Sequence, residues 1–212
     1  MKTTNRKNKY HSQVRAEAEA LTHQRIISAA LSLYVEKWLD QITLDQIAKR
    51  AGVSVQTVLR HFGSAEALIS AAGRAVNDRA IQQRQDPPIG DIPVAVAGLM
   101  DFYEEMAPTG LRTLALEGRY PELDVLLVEG RQKHQEWIER VFSPYLNRAS
   151  KKDRQRLKVQ LACLCDMYMW KLLRVDGGLS HEQAELAINE MLTALLAQKD
   201  LLEKGDDSDD HK

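Results

Sequence analysis

From Ile42 to Phe62 the chain reads ITLDQIAKRAGVSVQTVLRHF, and its apolar positions change phase once, at a glycine. Leu44, Ile47, Ala48 and Ala51 recur at helical spacing. Thr43, with Gln46 three residues on, forms a capping box that satisfies the free N–H groups of a helix start. Gly52 follows Ala51, where a left-handed backbone ends a helix. Ser54 then caps a second helix, with Val55, Val58, Leu59 and Phe62 as its apolar positions and Gln56, Thr57, Arg60 and His61 as its polar ones. Two helices joined by a glycine turn of about three to four residues make a helix-turn-helix, whose second helix enters the DNA major groove. Such a corner also occurs as mere structure, so the flanks carry weight.

Upstream, Arg25 to Trp38 places Ile26, Ile27, Ala30, Leu33 and Tyr34 on one helical side. Downstream, Phe62-Gly63-Ser64 closes the second helix and caps a fourth, with Glu66 near its positive end. Breakers divide the remainder. Asp86-Pro87-Pro88 ends the fourth helix, and Pro108-Thr109-Gly110 ends one that starts near Ile92 and reaches Met106. Gly118 to Pro121 separates a short helix from a long one near Leu123 to Phe142. Asp176-Gly177-Gly178 ends a helix from Arg154 to Val175, and Ser180 caps the last, which reaches about Gln198. Its face of Ala184, Ala187, Ile188, Met191, Leu192, Leu195 and Leu196 adjoins Leu161, Leu164, Tyr168, Leu172 and Val175 on the helix before. Two such stripes either fill a core or also meet their symmetry mates in a four-helix bundle.

Composition agrees with an all-α chain: 44% hydrophobic residues, 6% aromatic and six prolines in 212 residues. The net charge of −1 conceals an asymmetry. Residues 1–62 hold 10 Lys and Arg against 5 Asp and Glu, whereas residues 63–212 hold 19 against 25. The helix-turn-helix part is cationic, as phosphate binding requires, and the rest is acidic. Residues 1–16 carry Lys2, Arg6, Lys7, Lys9 and Arg15 without an acid. They are read both as a solvated, disordered tail and as an arm that crosses phosphates or enters the minor groove.

No run reaches the roughly 18–20 apolar residues of a membrane span, and the polar, basic N-terminus lacks the apolar part of a secretory signal. Cys163 and Cys165 stand two apart on a helix, so they neither bridge nor chelate together. Their apolar setting suggests buried thiols, which fits a cytoplasmic protein. No phosphate loop, metal-ligand cluster or nucleophile–base motif is recognisable, so no cofactor, metal or enzymatic activity is expected.

As an ordered set, RIISAAL, ITLDQIAKRAGVS, QTVLRHF and SAEALI, between Arg25 and Ile69, resemble the DNA-binding domain of the TetR family of bacterial transcriptional regulators. The resemblance implies an all-α chain: an N-terminal three-helix DNA-binding domain with a helix-turn-helix, then a helical ligand-binding and dimerisation domain. The boundaries are residues 1–20 for the arm and start of helix one, 21–69 for the DNA-binding domain, 70–200 for the helical domain and 201–212 for an acidic, disordered tail. It further implies a ligand-responsive repressor that binds a near-palindromic double-stranded operator as a homodimer.

Matching positions put Val55, Gln56, Thr57, Arg60 and His61 toward the groove. Gln56 suits adenine, Arg60 guanine or phosphate, Thr57 phosphate or a thymine methyl, and Val55 a thymine methyl. Thr43 and Ser54, at helix N-termini, suit phosphate, with Lys7 and Lys9 from the arm. His61 is equally read as packing beside Phe62. The chain departs from the pattern at Leu59, where Tyr is usual, at Ala65, where Lys is usual, and at Trp38, where Gly is usual. The first two remove phosphate contacts, which motivates an alternative: a helical small-molecule-binding protein with weakened DNA binding.

In the helical domain, Phe102, Tyr103, Met106, Trp137, Met167 and Trp170 are core or pocket, and the resemblance implies a small-molecule effector site among them. Tyr103, Glu117, Trp137 and Asp166 supply its polar groups. Asp166 interrupts the apolar run from Leu161 to Trp170. As a buried carboxylate it would pair with a nearby Lys or Arg, cross a dimer seam, or meet a cationic ligand.

Overall fold

The computed structural model describes residues 3–83 and 87–206, with side chains given for 13–75, 78, 87–121 and 123–197. Among the described residues all regular structure is helical. In order come α1 (Thr3–Glu36), a 3₁₀ turn (Leu39–Gln41), α2 (Leu44–Ala51), α3 (Val55–Phe62), α4 (Ala65–Gln83), α5 (Ile92–Leu114), α6 (Pro121–Val141), α7 (Ser143–Leu146), α8 (Lys151–Leu164), α9 (Met167–Lys171), a π turn (Leu172–Asp176) and α10 (His181–Asp206). The chain forms two compact units, one of Met1–Asn77 with Arg112–Leu126, the other of Asp78–Leu111 with Leu127–Lys212.

The first unit is built on the apolar stripe of α1. Ile26, Ile27, Ala30, Leu33 and Tyr34 are buried with Ile47, Ala48 and Ala51 of α2, Val58 of α3, and Leu68, Ile69 and Ala72 of α4. Leu116 and Leu123 complete that core. Eight-residue helices are too short to persist alone in water, so α2 and α3 exist through this burial and through their caps. In the second unit Val96, Leu99, Met100 and Tyr103 of α5 pack with Ile138 and Val141 of α6, Leu157 and Leu161 of α8, and Ala184, Ile188, Leu192 and Leu196 of α10.

Several expectations need correction. The basic N-terminal stretch is helical from Thr3 onward rather than a disordered tail. The helix that begins at Ile92 does not stop before Pro108 but runs through it to Leu114. A proline in a helix interior costs about 3 kcal/mol, yet Ala107 just before it and Thr113 after it are both buried, and the packing on either side holds the helix together. The short helix expected before Gly118 is therefore the end of α5, and α6 begins directly at Pro121. The span from Arg154 to Val175 is not one helix: it breaks at Cys165 and Asp166. The last helix reaches Asp206 instead of Gln198, with Ser180 capping it as expected. The acidic residues after Asp206, and Asp86 of the first breaker, lie outside the described residues. Cys163 is exposed, not buried, whereas Cys165 is buried.

Candidate nucleic-acid interface

The local chemistry that starts and stops α2 and α3 agrees with the pattern in the chain. The Thr43 hydroxyl accepts from the Gln46 N–H at 3.3 Å, and the Gln46 side chain accepts from the Thr43 N–H at 3.4 Å. Gly52 closes α2 at φ 66° and ψ 40°, and the Val53 N–H reaches back to the Ala48 carbonyl at 3.0 Å. A left-handed backbone there is cheap only for glycine. Ser54 starts α3 by accepting from the Thr57 N–H at 3.1 Å, and its hydroxyl lies 2.9 Å from that of Thr57.

These caps orient α3 so that Val58 is buried while Gln56, Leu59 and Arg60 are exposed. Val55, Thr57 and His61 are half-buried at the edges of that outward face. Thr43 and Ser54 are exposed at the two helix starts. Lys7 and Lys9 belong to the backbone of α1, and their side chains lie outside the described ones. Leu59, expected on the apolar side, is 41% exposed. Val55, Val58 and Phe62 already complete a stripe at spacings of three and four, and at about 100° per residue Leu59 turns away from Val58 toward Gln56.

His61 takes part in an aromatic cluster at the end of α3. His23 of α1 stacks on Phe62 with ring centroids 4.5 Å apart, and His61 meets His23 edge-on at 5.9 Å. Further support comes from Arg50, whose guanidinium reaches Glu36 at 2.7 and 3.0 Å and Ser32 at 2.8 Å, tying α2 to α1. The Arg50 guanidinium holds the Glu36 carboxyl below the usual carboxylate range.

The local pattern had no signal for Arg112. Its guanidinium donates to the carbonyls of Tyr34, Val35 and Lys37 at 2.7, 2.8 and 3.2 Å, capping the end of α1. It also lies 5.5 Å from the Trp38 ring, so the tryptophan that replaces the usual glycine serves as a cation–π partner in this turn. Beside it the Tyr34 hydroxyl is 3.1 Å from that of Thr113, and burial pushes the phenol up from its ordinary pKa.

A family model described as bacterial regulatory proteins, tetR family, matches residues 26–72, the stretch that contains α2, α3 and their supports. Over that stretch the chain is similar to the tetR family of bacterial regulatory proteins. Over 47 residues, 22% of each chain, it is 53% identical to the HTH-type transcriptional regulator SrpR of Pseudomonas putida. Over 124 residues, 58% of each chain, it is 31% identical to the uncharacterized HTH-type transcriptional regulator YdeS of Bacillus subtilis. The match thus spans about a fifth of the first relative's length and somewhat over half of the second's. The TetR-like fold extends further. A TetR-family transcriptional regulator from Streptomyces coelicolor superposes with a TM-score of 0.67 at 20% identity, covering 87% of this chain and 84% of that one. A transcriptional regulator from Rhodococcus gives 0.63 at 19% identity, with 84% and 97% covered.

The residues expected around an effector fall into different settings. Tyr103, Met106, Trp137 and Trp170 are buried in the second unit, and Phe102 and Met167 are half-buried against the same core. The Tyr103 hydroxyl donates to the Cys165 carbonyl at 2.8 Å, and the Trp170 indole N–H donates to Glu104 at 3.3 Å. Glu117 does not join them: it is exposed in a turn of the first unit. Asp166 is not a buried carboxylate in search of a counter-charge. It is half-buried and caps α9, accepting from the Tyr168 N–H at 2.8 Å. A shallow depression of about 560 Å³ in this unit is lined by Pro88 to Pro93, Tyr145 and Thr193, and by none of the expected effector residues. Among the described residues no helix is long and apolar enough to cross a membrane.

Proposed function

We propose that this chain is a TetR-family, ligand-responsive transcriptional repressor of the bacterial cytoplasm that binds a near-palindromic operator as a homodimer. One observation carries the reading: α3 is capped at its start, ends at a glycine, and turns Gln56 and Arg60 outward, residue types that pair with adenine and guanine edges. Thr43 and Ser54 at the helix starts, Thr57 and Val55 at the rim, and Lys7 and Lys9 on α1 would meet the backbone and groove wall. Residues 21–69 would bind DNA and residues 70–200 would bind effector and partner.

A homodimer is supported by apolar side chains turned outward in the second unit. Tyr168, Leu172 and Val175, spaced by four and three, are 52%, 56% and 57% exposed, and Leu186 of α10 is 58% exposed. Two copies reading two half-sites give specificity that one short helix lacks. An effector bound among Phe102, Met106 and Met167 would release DNA only by preferring the conformation that misplaces the two recognition helices.

The test is binding of the full chain to fragmented genomic DNA of its source at low and moderate salt. Enrichment of a short palindrome that survives moderate salt supports the regulator. The variant Arg60→Ala is expected to cost about 1–3 kcal/mol and relax base preference, whereas Lys7→Ala weakens all sequences alike. Binding that vanishes with salt and shares no motif would favour the second reading, a helical small-molecule-binding protein with weakened DNA contacts, for which Leu59 and Ala65 speak by offering no hydrogen bond to phosphate.

A further inference from the structure

Within α3, three side chains are exposed, and one of them does not match the other two: Leu59 stands beside Gln56 and Arg60. At about 100° per residue, Leu59 lies about 60° around the helix from Gln56 and about 100° from Arg60, so the three share one half of the helix surface. The fold supplies its packing without it, through Val58 at 0% exposure and the half-buried Val55 and Phe62. A single exposed leucine is ordinary on a protein surface. On a face turned toward the major groove it has a specific complement, because base edges there present donors, acceptors and one apolar group of their own, the C5-methyl of thymine.

We propose that Leu59 is a specificity-determining residue that packs on the methyl group of a thymine in each operator half-site. This rests on the regulator reading above and adds to it a base preference that Gln56 and Arg60 do not supply. Leucine donates nothing to phosphate, so its contribution is independent of salt, unlike that of a lysine or arginine on the backbone.

The experiment uses the full chain and the duplex sequence it enriches from a random pool. Thymines are replaced one position per half-site by uracil, which lacks only the methyl group. Affinity is measured for the wild type, Leu59→Ala, Leu59→Gln and, as a control away from α3, Val159→Ala at an exposed position of α8, with helicity and melting checked for each. At one position uracil is expected to weaken the wild type about fourfold per half-site, equally at low and moderate salt. Leu59→Ala and Leu59→Gln would bind the two duplexes alike, and Val159→Ala would keep the discrimination. Wild-type indifference to uracil at every position overturns the assignment, as does a Leu59→Ala variant that discriminates as well as the wild type. If no sequence is enriched, the regulator reading falls and this assignment with it; an enriched sequence without methyl dependence removes only the assignment.

Discussion

Both units start helices at hydroxyl caps, Ser150 and Ser180 among them in the second, but the two stop their helices by different means. In the first, α2, α3 and α4 each start at a hydroxyl, with Thr43, Ser54 and Ser64 accepting from an N–H three residues on, and α2 and α3 each stop at a glycine of positive φ. In the second, α5 ignores Pro108, and the chain from Lys151 to Asp176 breaks at Cys165 rather than at a glycine or proline. Helix length explains the contrast. An eight-residue helix leaves about half its backbone groups without internal partners, so caps worth roughly 1 kcal/mol each decide where it begins. The 23-residue α5 buries enough on both sides of Pro108 to absorb a local penalty. The small unit is thereby left with a defined outward face.

The largest effect that sharpens this contrast is expected from Ile47→Ala, because Ile47 is fully buried and anchors α2 to α1. It should cost about 2–5 kcal/mol in denaturant unfolding. A loss below 1 kcal/mol would mean that caps, not burial, hold the short helices. Next, Pro108→Ala should stabilise the chain by about 1–3 kcal/mol, read as a higher Tm, since the interior of α5 then regains a hydrogen-bond donor. A lower Tm would show that the packing around Met106 and Gly110 needs the proline.

Thr43→Ala and Ser54→Ala should each cost about 1 kcal/mol, and their DNA affinities should fall because α2 loses its fixed start in the first and α3 in the second. Equal stability in either variant would undo the capping argument for that helix. The smallest effect concerns Glu104 in the second unit. The Arg174 guanidinium at 2.5 Å, with the Trp170 indole and His181, holds its carboxyl below the usual range. A depressed folded pKa gives stability that is present above the unfolded carboxylate value near 4.3 and is lost as pH falls through the folded value. Glu104→Gln should therefore lower Tm slightly at pH 7 and leave it unchanged in strong acid. A difference that persists in acid would assign the effect to packing.

The helix-turn-helix was legible almost to the residue: Thr43 with Gln46, Gly52 and Ser54 behave as their types and spacings imply. The outward pair Gln56 and Arg60 was legible for the same reason, whereas Leu59 was assigned inward because hydropathy alone says nothing about which side of a short stripe a fourth apolar residue takes. Asp166 looked like an unpaired charge within an apolar run, but the break in the helix turns it into a cap. Pro108 looked like a stop.

What the sequence by itself determined, then, is the chemistry that acts over three or four residues: caps, the glycine turn, the phase of each apolar stripe and the cationic bias of the first 62 residues. What only the tertiary structure decided is everything settled by groups far apart in the chain. Arg112 closes the end of α1 across more than 70 residues, and burial on both sides of Pro108 carries α5 through a proline. The physical reason is range. A cap's hydrogen bonds form wherever its few residues meet, but burial and long-range ion–carbonyl contacts exist only after the chain has brought distant segments together.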